Sequence, residues 1–194
     1  MEIVARPLRG AHVVLEPVSE GHRARMRAAL DQDPDNWAIQ SITAMGEHFD
    51  HYWRLLTETP GRIGFAAIDT ASGGLVGTSS LFDIEPTHRT VEIGYTWFIP
   101  EVRGTAVNPE AKLLMLGHAF DAGARRVQFS VNAANARSRA AVRKLGGVEE
   151  GILRNHRITW TGSSRDTVIF SIIADEWPQV RAGLRRRLGM DGAC

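Results

Sequence analysis

A chain of 194 residues, 43% hydrophobic and 23% charged, has the size and make-up of one soluble globular domain with a substantial core. Its net charge of +1 gives no global pull toward nucleic acid or an anionic membrane surface. No stretch approaches the roughly 18 apolar residues of a spanning helix, and no secretory signal stands at the start. The one cysteine, Cys194, is the last residue, which excludes an internal disulfide. These features predict a cytoplasmic protein with a single domain over residues 1–194, its core at about 8–173.

In chain order, His12-Val13-Val14-Leu15 reads as a short strand, and Ser19 as the cap of a helix reaching about Leu30. Asp31 to Asn36 is a polar breaker. A second helix is predicted over Glu47–Thr59, with Tyr52, Leu55, Leu56 and Thr59 at helical spacing. Ile63–Asp69 and Leu75–Phe82 read as strands joined by Ala71-Ser72-Gly73-Gly74, and Arg89–Ile99 as a third long strand. A helix from about Pro109 to Ala122 buries Leu113, Leu116, Gly117 and Phe120, and Gly123 ends it. Val127, Phe129 and Val131 alternate with polar neighbours, as a half-buried strand does. A helix over Asn135–Leu145 stops at Gly146-Gly147. Gly151–Trp160 and Asp166–Ile173 form a hairpin, and a final helix spans about 175–188. Two packings are open to that helix, on its own sheet or on a second copy as a homodimer. The layout is α+β, a mixed and mostly antiparallel sheet of about seven strands flanked by helices.

The most informative stretch is Val102-Arg103-Gly104-Thr105-Ala106-Val107-Asn108-Pro109, a small-residue loop between a strand and a helix. Asn108 suits the N-cap and Pro109 the first helical position. Free N–H groups and the helix dipole there favour a phosphate. The sequence contains neither the Gly-x-x-x-x-Gly-Lys-Ser/Thr loop nor the Gly-x-Gly-x-x-Gly fingerprint. His48 and His51 lie three apart without a third ligand, so no metal is predicted.

Element order and motif placement together resemble the Gcn5-related N-acetyltransferases. The family's Arg/Gln-x-x-Gly-x-Gly/Ala motif corresponds to Arg103–Asn108, with Ala106 in place of its first glycine and Asn108 in place of its last small residue. Asn135 to Gly146 resembles the family's Asn-x-x-Ala/Ser-x-x-x-Tyr-x-Lys-x-Gly segment, with Val142 at the tyrosine. Glu92-Ile93-Gly94-Tyr95, the Asn-x-x-Ser form and Arg165-Asp166-Thr167-Val168 are most similar to the RimJ/RimL-like branch of ribosomal-protein N-terminal acetyltransferases.

The resemblance implies a splayed strand pair holding coenzyme A and transfer of acetyl from acetyl-CoA to a primary amine, either a protein N-terminus or a small molecule. The backbone of Val102, Arg103, Gly104, Thr105, Ala106, Val107 and Asn108 would cradle the diphosphate, with an added contact from Arg103. The N–H of Phe98 or Ile99 would polarise the thioester carbonyl. Asn135 would meet the pantetheine arm. Ser138 would attend the departing sulfur, or else bond back to its own helix. Glu92 would be the base that accepts the amine proton, or else a sheet-face carboxylate paired with an arginine. Asp83, Glu85 and Glu101 stand behind it as fallback bases. Trp37, His156, Trp160, Arg165 and Asp166 would line the acceptor groove. Because Val142 cannot act as an acid, a coenzyme A-binding regulatory protein without catalysis is the rival reading.

Overall fold

The computed structural model describes residues 1–38 and 40–190, with only the backbone of Asp35 and Asn36; Cys194 lies outside the described residues. In chain order come β1 (Leu8–Arg9), β2 (Val13–Pro17), α1 (Arg23–Leu30), α2 (Pro34–Trp37), α3 (Phe49–Thr57) and β3 (Ile63–Asp69). They are followed by β4 (Leu75–Glu85), β5 (Thr90–Phe98), α4 (Val107–Asp121), β6 (Arg126–Asn132) and α5 (Ala136–Leu145). The chain ends with β7 (Val148–Ile158), β8 (Ser164–Ile173) and α6 (Trp177–Arg187).

Among the described residues the strands form one eight-stranded sheet in the order β1-β2-β3-β4-β5-β6-β8-β7. Every neighbouring pair is antiparallel except β5 with β6. The eighth strand beyond the seven expected is Leu8–Arg9, too short to carry a period of its own. It exists because Leu8 pairs with Leu15 across a tight hairpin.

Each face of the sheet is covered by its own helices. Val91, Ile93, Val127, Phe129, Val168 and Phe170 pack under α4, α5 and α6. On the other face, Met26, Leu30, Phe49, Tyr52 and Leu56 of α1 and α3 cover Ala66, Leu75 and Trp97. That second layer does not extend over β6 and β8. There the alternation of β6 presents Gln128 and Ser130, and β8 presents Arg165, Thr167 and Ser171. Apart from Ile169 the side chains of this patch are polar, and Arg165, Thr167 and Ser171 are buried within it.

Two expectations at helix ends are settled here. Helix α4 starts at Val107 with Ala106 as its N-cap, so Asn108 is not the cap and Pro109 is the third helical residue, not the first. The Thr105 hydroxyl accepts the Val107 N–H at 3.3 Å, which frees Asn108 from that duty. Proline is tolerated anywhere in the first turn, where no intrahelical donor is required. The final helix, α6, packs on its own chain. Trp177 stacks on Phe120 of α4 with ring centroids 5.2 Å apart.

Helix α4 also carries two buried charged residues. The Glu110 carboxylate is fully buried and accepts three backbone N–H groups, from Ala11 (2.8 Å), His12 (2.6 Å) and Val13 (2.8 Å). It clamps the β1–β2 hairpin to the helix, and a Cβ on Gly10 would overlap that carboxyl. Lys112 donates to Ser79 Oγ (3.1 Å) and Thr96 Oγ1 (2.6 Å) and has no carboxylate partner among the described residues. Burial pushes its amine down to about 7 from the ordinary 10.5.

Glu110→Gln replaces an oxygen that accepts backbone N–H groups with an amide that cannot. It lowers stability by about 1.5–3 kcal/mol, read from denaturant midpoints. Lys112 yields the opposite result. Unfolded Lys112 holds its proton up to about 10.4, whereas folded Lys112 releases it near pH 7. The unfolded state therefore binds more protons in that window, and stability climbs as pH rises through it. Lys112→Met removes this climb and raises the melting temperature at pH 7, because Ser79 and Thr96 keep their mutual 2.7 Å hydrogen bond. A lower melting temperature, or an unchanged pH slope, would contradict this reading of Lys112.

Candidate functional site

The central feature is a strand pair that separates. Strand β5 pairs with β6 only from Thr90 to Glu92, against Arg126 to Gln128. Past Glu92 the two strands part, and Phe129 to Asn132 of β6 pair with β8 alone. An irregularity in β5 accompanies the parting. Ser80 faces Gly94 but Thr78 faces Trp97, so Tyr95 and Thr96 together oppose the single residue Ser79. Tyr95 absorbs the extra residue with φ +51°, a left-handed conformation that side chains seldom adopt. The resulting wedge is open on the β6 side of β5.

The backbone lining the wedge can be assigned. The Ile99 N–H donates to Val76 O at 2.9 Å, so it belongs to the sheet. By alternation the Phe98 N–H points the other way, into the wedge. The Phe98 carbonyl accepts Arg103 Nε at 2.9 Å. The second end of that guanidinium pairs with Asp33, so Arg103 bridges β5 to the segment before α2. Both ends of the Arg103 side chain are thus engaged within the protein.

In the loop above the wedge, the amides of Val102, Arg103 and Thr105 are spent on Ile99, Pro100 and Val102 carbonyls. The amides of Gly104, Ala106 and Asn108 have no partner among the described residues. Gly104 takes φ +79° with nothing within 4 Å of where a Cβ would stand. Three unspent donors at the start of a 15-residue helix, beside open space, form an anion-binding arrangement. The Asn108 Oδ1 is buried without a partner.

Across the wedge stands α5. Asn135 is its N-cap, and its Oδ1 accepts the Ser138 N–H at 2.9 Å. The Ser138 hydroxyl makes no bond to the preceding turn and has no partner among the described residues. Val142 is buried in the core.

Glu92 sits where the strands part. It is 8% exposed, and Gln128 Nε2 donates to its Oε2 at 3.0 Å, so its hydrogen-bond partner is an amide rather than an arginine. Burial pushes its carboxyl above the ordinary 4.5, against the opposing pull of Ser130, Gln128 and the Arg157 charge. Gly94, two residues on, lets the Phe82 ring approach the strand closely. A Cβ there would lie 2.8 Å from the Phe82 ring and 4.0 Å from Glu92 Oε1. Asp83 and Glu101 are exposed, and Glu85 Oε1 accepts the Thr87 N–H at 3.0 Å.

The surrounding groove is closed by contacts between distant segments. Trp160 Nε1 donates to the Trp37 carbonyl at 2.7 Å, and Trp37 stacks on Trp97 at 6.4 Å. Arg165 is buried at 8% exposure, and its Nη1 donates to Ser41 Oγ at 2.5 Å. His156 is exposed on β7, and Asp166 accepts the Asn155 N–H at 2.7 Å. Two further groups join this groove that sequence reasoning did not single out. Gln128 holds Glu92; its place on the polar side of the β6 alternation was the available signal. The Arg62 guanidinium lies 3.9 Å from the Tyr95 ring centroid and 4.7 Å from that of Phe82, and nothing in its local sequence announces this. Among the described residues no group of three or more His, Cys, Asp or Glu is placed to hold a metal ion.

Comparison with known proteins agrees with this architecture. Residues 12–148 match the family model described as "Acetyltransferase (GNAT) domain". The Bacillus subtilis protein named "Putative ribosomal N-acetyltransferase YdaF" is 31% identical over 106 residues, which cover 54% of this chain and 57% of that protein. The chain therefore aligns with little more than half of that relative's length. A crystal structure from T. thermophilus, described as a "putative acetyltransferase", is 34% identical with a TM-score of 0.88, covering 97% of this chain and all of the other. Mycobacterium smegmatis RimJ in complex with CoA-disulfide, at 24% identity, shares the fold with a TM-score of 0.78 over 95% of this chain and 94% of its own. With a family model spanning most of its length, a mixed sheet opened between β5 and β6, and a helix starting above the opening, this chain belongs to the GNAT acetyltransferase domain family.

Proposed function

We propose that this protein moves an acetyl group from acetyl-CoA to a primary amine, with a protein N-terminus or a small-molecule amine as acceptor, in the cytoplasm. The observation that supports it most is the juxtaposition of three unspent amides, at Gly104, Ala106 and Asn108, with the Phe98 N–H inside one wedge. The first set fits a diphosphate and the second fits a thioester carbonyl oxygen, which gains negative charge as the amine attacks; both groups belong to an acyl-coenzyme A. Acetyl-CoA, when bound, supplies the thioester whose carbonyl is attacked.

This chain's own residues carry the rest. The Phe98 N–H stabilises charge developing on the carbonyl oxygen. Glu92 accepts the proton of the amine, and its raised pKa makes it a stronger base than an exposed carboxylate. An α-amine, with a pKa near 7.7–8.0, is partly neutral at physiological pH, whereas a lysine amine near 10.4 is not. A carboxylate base therefore suits an N-terminus better than a lysine side chain. Ser138, whose hydroxyl is unspent, hydrogen-bonds the departing sulfur. A thiol leaving group with pKa about 8.5 tolerates the lack of a stronger acid at Val142. Asn135 orders the start of α5 and so holds Ser138 in place. Attack is direct: the single cysteine is the terminal Cys194, far in sequence from the wedge.

Pairing with a second copy is supported by edge strand β7, where Val148, Ile152, Leu153 and Ile158 are all exposed. Among the described residues no helix is long and apolar enough to cross a membrane. The reading without catalysis draws on one observation, the buried aliphatic Val142 where the family motif has tyrosine.

Acetyl transfer to a panel of N-terminal peptides and small amines, for wild type and Glu92→Gln, separates these readings. Ionised Glu92 is the active form, so the rate climbs with pH through a pKa above the ordinary carboxylate value. Glu92→Gln lowers kcat/KM by about 10²–10⁴-fold and loses that ascending limb. An unchanged pH profile in the variant would remove Glu92 as the base. Coenzyme A binding with no transfer to any acceptor would favour the reading without catalysis.

A further inference from the structure

Among the described residues, the groove around Glu92 holds arginines that no carboxylate meets. Elsewhere arginines meet carboxylates: Arg27 with Asp50 at 3.0 Å, Arg126 with Glu150 at 2.5 Å, Arg103 with Asp33 and Arg143 with Glu149. Arg165 and Arg62 have no such partner among the described residues. Arg165 is nine-tenths buried on the polar face of β8, with one Nη taken by a serine hydroxyl and its Nε left unbonded. Arg62 lies on the Tyr95 ring with its Nε and Nη1 both buried and unbonded. Tyr95 is carried by the irregular turn of β5. Its ring is under Arg62, and it lies close enough to Arg165 to influence that charge. Arg157, the register partner of Arg165 on β7, adds a third cation.

The charges facing this group from every packed element are few. Glu92 comes from β5 and Asp83 from β4, and Asp83 is exposed. Arg157 influences both Glu92 and Arg165. Burial, with the like charge of Arg157, pulls the Arg165 guanidinium below its ordinary value, against the opposing charge of Glu92. Guanidinium N–H groups buried without acceptors are costly, and a planar carboxylate is the group whose geometry removes that cost. A substrate with further positive charge, such as a polyamine, makes the imbalance worse.

We propose that the acceptor carries a carboxylate close to its reacting amine, and that Arg165 binds that carboxylate while the amine reaches Glu92. The inference rests on the transferase reading above and deepens it, because Arg165 becomes a specificity determinant of the same site. The carboxylate has two sources, the α-carboxylate of a free amino acid or an Asp or Glu side chain next to a peptide's N-terminal residue.

The test is a set of matched acceptors. One arm pairs peptides beginning Ser-Glu-Glu and Ser-Gln-Gln; the other pairs free amino acids with their carboxamides. Wild type prefers the acidic member of at least one pair by about tenfold or more in kcat/KM, chiefly through KM. The arm that shows the preference identifies the source. Arg165→Gln reduces the preference to within about twofold, and Arg165→Lys restores part of it, while coenzyme A affinity by calorimetry stays at the wild-type value. Should either variant fail to fold, the wild-type ratios alone decide. Equal use of both members, or preference for the uncharged one, overturns the inference and leaves the transferase reading intact. If no amine of any kind is acetylated, both fall together.

Discussion

The architecture depends on one departure from regular pairing: β5 leaves β6 after Glu92. Hydrogen bonding alone would favour continuing the ladder, because unpaired strand edges leave backbone donors and acceptors unsatisfied. The extra residue at Tyr95–Thr96 opposes that continuation by turning β5 away, and α4 and α5 fill the space on one face. The same departure sets three groups of the candidate site together. It frees the Phe98 N–H, ends pairing beside the Glu92 carboxylate, and opens the sheet beneath the start of α4.

Charge placement follows from the same geometry. Glu110 and Lys112 are two residues apart on one helix, yet they meet opposite environments. Glu110 receives three backbone donors from the hairpin at the sheet edge. Lys112 receives two hydroxyls and no counter-charge. Burial therefore lowers the lysine's pKa, while both buried oxygens of the glutamate are hydrogen-bonded. Glu92 lies between these cases, with an amide donor on Oε2 and burial that raises its pKa.

Legibility in the sequence tracked how local each cause is. The alternation of Val127, Phe129 and Val131 and the stop at Gly146-Gly147 identified β6 and the end of α5, since both depend on side chains within a few residues. The strand-to-helix loop over 99–108 was legible from its small residues. Its details were not, because Thr105 rather than Asn108 caps the first helical amide and three of its amides are consumed by short turns. Leu8–Arg9 forms a strand only through pairing with Val14 and Leu15. Of the candidate site, Glu92 could be singled out by the glycine two residues on. Its partner Gln128 is 36 residues away, and Arg62, just before β3, reaches Tyr95 on β5 across β4. Such contacts are products of tertiary register; the β6 alternation puts Gln128 on the polar side but does not name its partner.

The account stands on anion capture by the unspent amides above the β5–β6 opening, and calorimetry addresses it without reference to any acceptor. Titrating coenzyme A and then pantetheine, which lacks the diphosphate together with the 3′-phosphoadenosine, into the folded protein sets an upper bound on that contribution. The account predicts saturable one-to-one binding of coenzyme A and affinity for pantetheine weaker by about a hundredfold or more. No heat with coenzyme A, or equal affinity for the two compounds, would contradict it.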